Sequence, residues 1–299
     1  METKNIRAYS AWIAVCILWG TTYLAIRIGV EHIPPMIFAG VRWIIAGIIF
    51  ILLLKLQGKK LPSKKDIIPI SIAGISLIGI GNGLVVTGEQ FIGSGMAALL
   101  ITTVPFWVVG MEALIPSGPK LNFIILAGLI LGLLGVFLIF EGNREQLPDP
   151  SYLPGVLCML GAVIAWSFGT VYSKYKKVAV HPLMNAAVQM LIAGSAQTIL
   201  GLSIGEASQV SLHPEGISSF FYLVIAGSIL GYGSYIYAIE HLQLSFVATY
   251  AYINPVIALF LGWLVLNETM NLSIIMAAAI IIAGVIIVRQ GTKRNSVKN

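Results

Sequence analysis

The side chains able to do chemistry in this 299-residue chain are few, and almost all lie within or at the ends of apolar runs. Arg42 stands about seven residues into one such run. A central arginine there costs from roughly 3 kcal/mol on insertion scales to more than 10 in simulations. It must face protein, water or a partner, as an anion-attracting or gating charge or as a structural arginine that caps carbonyls or reaches to the interface. Arg27, near the end of the first run, carries the same two readings. Glu89 ends the third run, and Asn82, seven residues earlier, lies about two turns away on a similar face. A carboxylate there could pair with Arg42 or take a proton, or be a solvated helix-end acid. Burial would raise its pKa and an arginine would lower it, so the residues leave its charge open. Trp19, Tyr23, Trp166, Tyr235, Tyr250 and Tyr252, with the amides of Asn82 and Asn254, are candidates for a substrate cavity. Pro105 and Pro255 fall mid-run, where proline removes a backbone bond and kinks the helix. The freed carbonyls could meet a substrate ammonium or hydroxyl, or the kinks could serve packing alone.

Other chemistries find little support. Gly79-Ile-Gly-Asn-Gly83 sits inside an apolar run with no strand before it, so close helix packing is expected rather than a nucleotide loop. Gly231-Tyr-Gly233 lacks the context of a selectivity filter. There is no P-loop, metalloprotease His-Glu pattern or nucleophile elbow. Cys16 and Cys158 both lie in apolar runs, which argues against a disulfide or a cysteine metal site. No metal and no cofactor is expected, and energy for any transport has to come from a gradient.

The elements that must position these residues follow from composition. Eighteen Lys and Arg and 12 Asp and Glu amount to 10% charged residues, against about 25% in an average soluble chain. With 58% hydrophobic residues and a mean hydropathy of +0.91, the chain has too little polar surface to wet a soluble fold. Apolar runs occur at 11–30, 36–54, 67–88, 93–113, 122–141, 154–173, 183–205, 218–239, 245–266 and 273–289. Each is about the length of a spanning helix, and an open strand edge is excluded in hydrocarbon. The expected fold is an all-α polytopic membrane protein of ten transmembrane helices. Lys4 and Arg7 before the first run read as a signal anchor that is retained. With the N-terminus inside, fifteen cations fall on one side and only Arg144 on the other, while Arg27 and Arg42 lie within runs. That is a positive-inside pattern with both termini cytoplasmic, so the net charge of +6 reports topology and no nucleic acid is expected as a partner.

The two halves look alike. Trp19 and Trp166 are 147 residues apart, as are Pro35 and Pro182, and Val41-Arg-Trp-Ile-Ile-Ala-Gly47 faces Val188-Gln-Met-Leu-Ile-Ala-Gly194 at the same offset. Ala98 and Pro105 match Ala248 and Pro255 at 150. Five helices per half make the second copy enter the membrane from the opposite side, an inverted repeat with its site at the interface of the copies. The expected organisation is a first repeat at 11–141, an external linker at 142–153, a second repeat at 154–290 and a cytoplasmic tail at 291–299. Gln189 stands where the first repeat has Arg42, so the pathway is electrostatically asymmetric. Gly128, Gly132 and Gly135 form a small-residue face for packing within or between subunits, leaving a homodimer open.

Trp19-Gly-Thr-Thr-Tyr-Leu-Ala-Ile-Arg-Ile-Gly-Val30, Pro34-Pro35, Ala39-Gly-Val-Arg-Trp43, Gly81-Asn-Gly83 and Thr249-Tyr-Ala-Tyr-Ile-Asn-Pro255 together resemble the EamA family. More narrowly, they are similar to the YedA-like permeases of the bacterial drug/metabolite transporter superfamily. The resemblance runs from residue 11 to 290. It implies ten helices, both termini inside, and export of small metabolites, amino acids or drugs without ATP. One departure is Met111-Glu-Ala-Leu-Ile-Pro116 at the end of the fourth run, where the ninth ends in the more family-like Leu266-Asn-Glu268. The sequence thus predicts a secondary transporter of the bacterial cytoplasmic membrane working by alternating access, with a small-molecule substrate and the lipid bilayer as partners. An integral-membrane enzyme acting on lipids is the alternative, resting only on Glu31-His32 and Glu240-His241. A non-transporting partner protein is the other.

Overall fold

The computed structural model describes residues 2–92, 94–116, 118, 121–141, 153–266, 276, 279–288, 290 and 291. Most of the expected 142–153 linker and 291–299 tail, together with Glu268, lies outside them. The described residues hold no strand. The helices are α1 (Glu2–Val30), α2 (Pro35–Leu56), α3 (Lys64–Gly88), α4 (Ser94–Ile101), α5 (Val104–Ala113) and α6 (Phe123–Glu141). There follow α7 (Leu153–Tyr175), α8 (Pro182–Ser203), α9 (Pro214–His241), α10 (Leu244–Val247), α11 (Tyr250–Leu266) and α12 (Ala279–Val288). Each of the ten apolar runs therefore carries helix, the fourth and the ninth with an interruption. Large apolar side chains such as Leu52, Leu134, Ile199 and Phe221 point outward, as a lipid-facing surface requires.

The fourth and ninth runs are not single kinked helices. They break at Thr102-Thr103, between α4 and α5, and at Ala248-Thr249, between α10 and α11. Pro105 consequently lies in the first turn of α5, where its missing N–H is harmless, rather than mid-helix. Pro255 does stand inside α11. At the breaks, Thr103 donates its hydroxyl to the Leu100 carbonyl (2.9 Å) and Thr249 to that of Phe246 (2.6 Å). Those two acceptors are satisfied locally and are not offered to a ligand.

Two further features repeat across the halves. Ile75–Asn82 in α3 and Leu223–Tyr232 in α9 are π-helical, a rare conformation that concentrates at functional sites. Gly58 and Gly205, just past the ends of α2 and α8, have φ of 75° and 81°. Only glycine adopts that left-handed cap without strain, and no atom crowds either position. Alanine at either glycine is expected to cost about 1–2 kcal/mol through backbone strain alone, which thermal unfolding in detergent measures. At the start of α8 the His181 Nδ1 accepts from the Leu183 N–H (3.3 Å). Burial and then nearby Lys59 lower its pKa, which favours the neutral ring that such a cap requires.

The halves interleave rather than stand side by side. α1 packs on α9 and α11, whereas α7 packs on α3 and α5. Helices α2 and α8 cross on the pseudo-two-fold axis. A Cβ at Gly194 would fall 2.8 Å from the Gly40 carbonyl, and one at Gly47 would fall 3.0 Å from that of Ala187. Adding 147 converts 40 and 47 into 187 and 194, so these are the same contact seen twice. Gly128 and Gly132 in α6 meet Gly284 of α12 in the same close manner, which places these two glycines in a packing contact within the chain.

Candidate functional site

Each tryptophan of the repeat pair sits in the π-helical segment of the other half. Trp19 on α1 lies against Gly231 and donates its indole N–H to the Gly227 carbonyl (3.1 Å). Trp166 on α7 lies against Gly81, 3.2 Å from where a Cβ would stand. The two indoles meet edge to face with centroids 5.3 Å apart. Tyr250 closes on Trp19 from α11 at 5.2 Å, and Tyr235 backs both indoles at 5.1 and 5.4 Å. Trp166 donates to the Tyr235 hydroxyl (3.2 Å), which also bonds the Thr170 hydroxyl. These contacts fix the rings and make them one rigid wall.

Both tryptophans line a cavity of about 70 Å³. Drug-sized ligands occupy pockets of at least ~300 Å³, so its walls have to separate before a metabolite fits. Trp19, Tyr23, Arg42, Asn82, Trp166 and Tyr250 line it, so six of the sequence candidates converge. Arg42 is only 2% exposed. It donates through Nη2 to Asn82 Oδ1 (2.7 Å), and its guanidinium carbon lies 4.8 Å from the Trp43 ring centroid. Trp43 donates to the same Asn82 oxygen (2.8 Å). The Arg42 Nε is buried without a hydrogen-bond partner among the described residues. The second repeat builds the same link from other side chains, with the Tyr232 hydroxyl donating to Gln189 Oε1. Gln189 is the counterpart of Arg42, and Tyr232 that of Asn82. The positive charge thus belongs to one half of a site whose scaffold is two-fold.

The remaining candidates lie elsewhere. Arg27 is half-exposed and donates to the backbone carbonyl of Glu89, capping the end of α3, and its Nε is 3.8 Å from Glu31. Its place is at the helix end, not in the cavity wall. Glu89 is fully buried, and neither carboxylate oxygen has a hydrogen-bond partner among the described residues, which sets aside the solvated helix-end reading. The charges nearest to it in effect are Arg27 and Arg42. Tyr252 is not in the cavity; it packs with Ile125, Leu129 and Val285 and donates to the Leu129 carbonyl (3.2 Å), on the face of α11 turned to α6. Asn254, with its amide nitrogen turned inward, donates to the carbonyls of Cys16 and Tyr250 (both 3.1 Å) and ties α11 to α1. Trp43, Thr22 and Gly227 were not singled out from sequence, yet all line the cavity. Trp43 was legible in principle, since it follows Arg42 directly and sits within the repeated string.

The model of the EamA-like transporter family matches residues 6–141 and 153–290. The chain belongs to the EamA family. Among its relatives is the uncharacterized inner membrane transporter YedA of Escherichia coli K12, 34% identical over 284 residues and covering 95% of this chain and 90% of that one. The uncharacterized transporter YoaV of Bacillus subtilis is 28% identical, covering 91% and 93% of the two chains. A probable amino-acid metabolite efflux pump of Salmonella typhimurium is 23% identical, with 91% of each covered. A crystal structure of another protein superposes with a TM-score of 0.80 over 96% of this chain and 98% of that one, at 19% identity, and so shares the fold.

For this EamA transporter the tightest fit in the wall is testable. A Cβ on Gly231 would stand 2.5 Å from the Trp19 indole nitrogen and 2.8 Å from the Ala226 carbonyl. Gly231→Ala is therefore expected to push Trp19 into the cavity and to lower flux while the protein still elutes as a single species. Unchanged flux in proteoliposomes would show that the indole position does not matter.

Proposed function

We propose that this chain is a secondary transporter of the bacterial cytoplasmic membrane that moves small organic solutes carrying an anionic group, such as amino acids or related metabolites, outward by alternating access. The observation that carries the reading is the cavity at the meeting of the two repeats, lined by a buried arginine with an unused Nε and by two tryptophans packed edge to face. A guanidinium suits a carboxylate, which it can engage through two parallel bonds. The indoles supply apolar faces for the remainder of the solute. The name of the Salmonella relative, a probable amino-acid metabolite efflux pump, is consistent with this class of cargo.

Glu89 fits the same cycle. It is the acid on which the charges of the two arginines act, and its carboxylate makes no hydrogen bond among the described residues that a rearrangement would have to break. In the empty cavity it offsets the charge of Arg42; a substrate carboxylate takes over that role and leaves Glu89 free. The alternating motion is a relative displacement of α1 and α7 against the π-helical segments they grip. With both termini cytoplasmic, the end bearing the α1–α2 turn is external.

Flux of labelled amino acids and organic acids in sealed proteoliposomes tests the proposal. Saturable movement of at least one carboxylate-bearing solute, with little movement of its amide or ester, is the expected result. Equal handling of neutral analogues would remove the anionic class, and no flux of any solute by folded protein would overturn transport. Turnover of labelled phospholipid would instead favour the enzyme alternative.

A further inference from the structure

A second cluster lies outside the cavity lining, at the end of the bundle that carries the α1–α2 turn. His32 belongs to that turn, in the first half of the chain; His213 and Glu215 begin α9, in the second. The imidazoles of His32 and His213 lie almost parallel, with centroids 4.8 Å apart and 10° between planes. His213 Nδ1 stands 2.7 Å from Glu215 Oε2. One donor atom from each of the three side chains lies within 4.8 Å of the others, and no further such group occurs among the described residues.

The approach of the two segments is built into the backbone. The Ser211 N–H donates to the His32 carbonyl (2.9 Å), which joins the loop before α9 to the α1–α2 turn. Gly216 follows Glu215, and a Cβ there would stand 2.9 Å from the His32 Cβ, so the fold keeps open the space that His32 fills. The side chains of His213 and Glu215 are 58% and 62% exposed, so they can be reached from solvent and are free to turn.

We infer that His32, His213 and Glu215 form a binding site for a divalent transition-metal ion of the zinc class, tying the turn after α1 to the start of α9. Two imidazoles and one carboxylate are a donor set that suits zinc, nickel or copper, whereas calcium and magnesium prefer oxygen donors throughout. Tetrahedral zinc with bonds of ~2.0–2.2 Å needs its donors about 3.3 Å apart. The His213–Glu215 pair is already at 2.7 Å, and rotation of the two rings brings His32 in from within 4.8 Å. Water fills the fourth position. The ion replaces the hydrogen bond between His213 and Glu215 and adds a bond to the other half of the molecule. Zinc occupancy therefore restrains this end of α1 against α9, whatever the solute that crosses.

The test is titration of the purified full-length protein, carrying no polyhistidine tag, with zinc chloride by calorimetry in detergent. One zinc per chain at micromolar concentration is expected, with magnesium giving no heat. H32A, H213A and E215Q are each expected to weaken zinc binding by roughly tenfold or more, the order of loss known for a perturbed metal shell. All three change exposed or half-buried residues at a turn or at the start of α9, and unchanged elution and thermal unfolding check their folding. Hydrogen exchange supplies a second readout: zinc should slow exchange around residues 30–34 and 211–216 in the wild type and not in H213A. Absence of binding at micromolar zinc, or binding that survives the substitutions, would overturn the site. Binding without altered exchange would overturn the tie between the halves. None of these readouts depends on transport, so a failed flux assay leaves the outcome intact.

Discussion

Gly194→Leu is expected to yield no folded protein, and Gly194→Ala to lower stability by about 1–3 kcal/mol, the usual cost of forcing extra volume into a packed interior. A Cβ at this position falls 2.8 Å from each of the Gly40 carbonyl oxygen, the Ile44 nitrogen and the Trp43 Cβ. Two of those three atoms are backbone, so no side chain can swing away to make room, and α2 and α8 must move apart. The contact flanks the pseudo-two-fold axis and recurs at Gly47 and Ala187, so separating the helices at one point loosens the other. Trp43 and Arg42 lie on the strained stretch of α2, so the alanine variant should also lose flux. Gly110→Ala is the control: it sits in a helix with nothing within 4 Å of the added carbon and should unfold like the wild type. Size-exclusion profiles and thermal unfolding in detergent decide the matter. Equal stability of G194A and G110A would mean that the two halves do not depend on this contact.

Arg42→Gln is expected to lower flux of an anionic substrate by roughly 10- to 150-fold, the equivalent of one charge-assisted hydrogen bond of about 1.5–3 kcal/mol. Glutamine is the residue that the second repeat carries at the equivalent place, where it accepts from Tyr232. Its amide nitrogen can donate to the Asn82 oxygen as the Arg42 guanidinium does, and the fold should persist, separating loss of charge from loss of structure. The effect should fall on carboxylate-bearing solutes and spare neutral analogues. Unchanged flux in the folded variant would reduce Arg42 to a structural residue that holds Asn82 and Trp43.

Much of this architecture was legible because lipid leaves a chain few options. The apolar runs gave the helices, and the recurrence of tryptophan, proline and the Val41–Gly47 string at one offset gave the two halves. The same offset pointed to Trp19 and Trp166, which do meet in the cavity wall. Three particulars were not legible. A π-helical segment differs from an α-helix by one hydrogen-bond step and leaves little trace in hydropathy. Nothing in sequence distinguished Tyr250, which faces Trp19, from Tyr252, which faces α6, because aromatic side chains serve equally in walls and in packing. The breaks at Thr102 and Ala248 were masked by the prolines downstream, which draw attention to themselves.

His32 and His213 were too far apart in the chain, at 181 residues, for any spacing rule to join them. By itself the sequence determined that the protein lies in a membrane, is all-helical in class, and is built from two related halves. Those follow from composition and periodicity, which act locally along the chain. Only the tertiary structure decided that each half's first helix is gripped by the other half, that Arg42 and not Arg27 reaches the cavity, and that two histidines from opposite halves stack. Such pairings arise from packing between segments distant in sequence, where the fit of glycine against backbone selects one arrangement among many that hydropathy alone would allow.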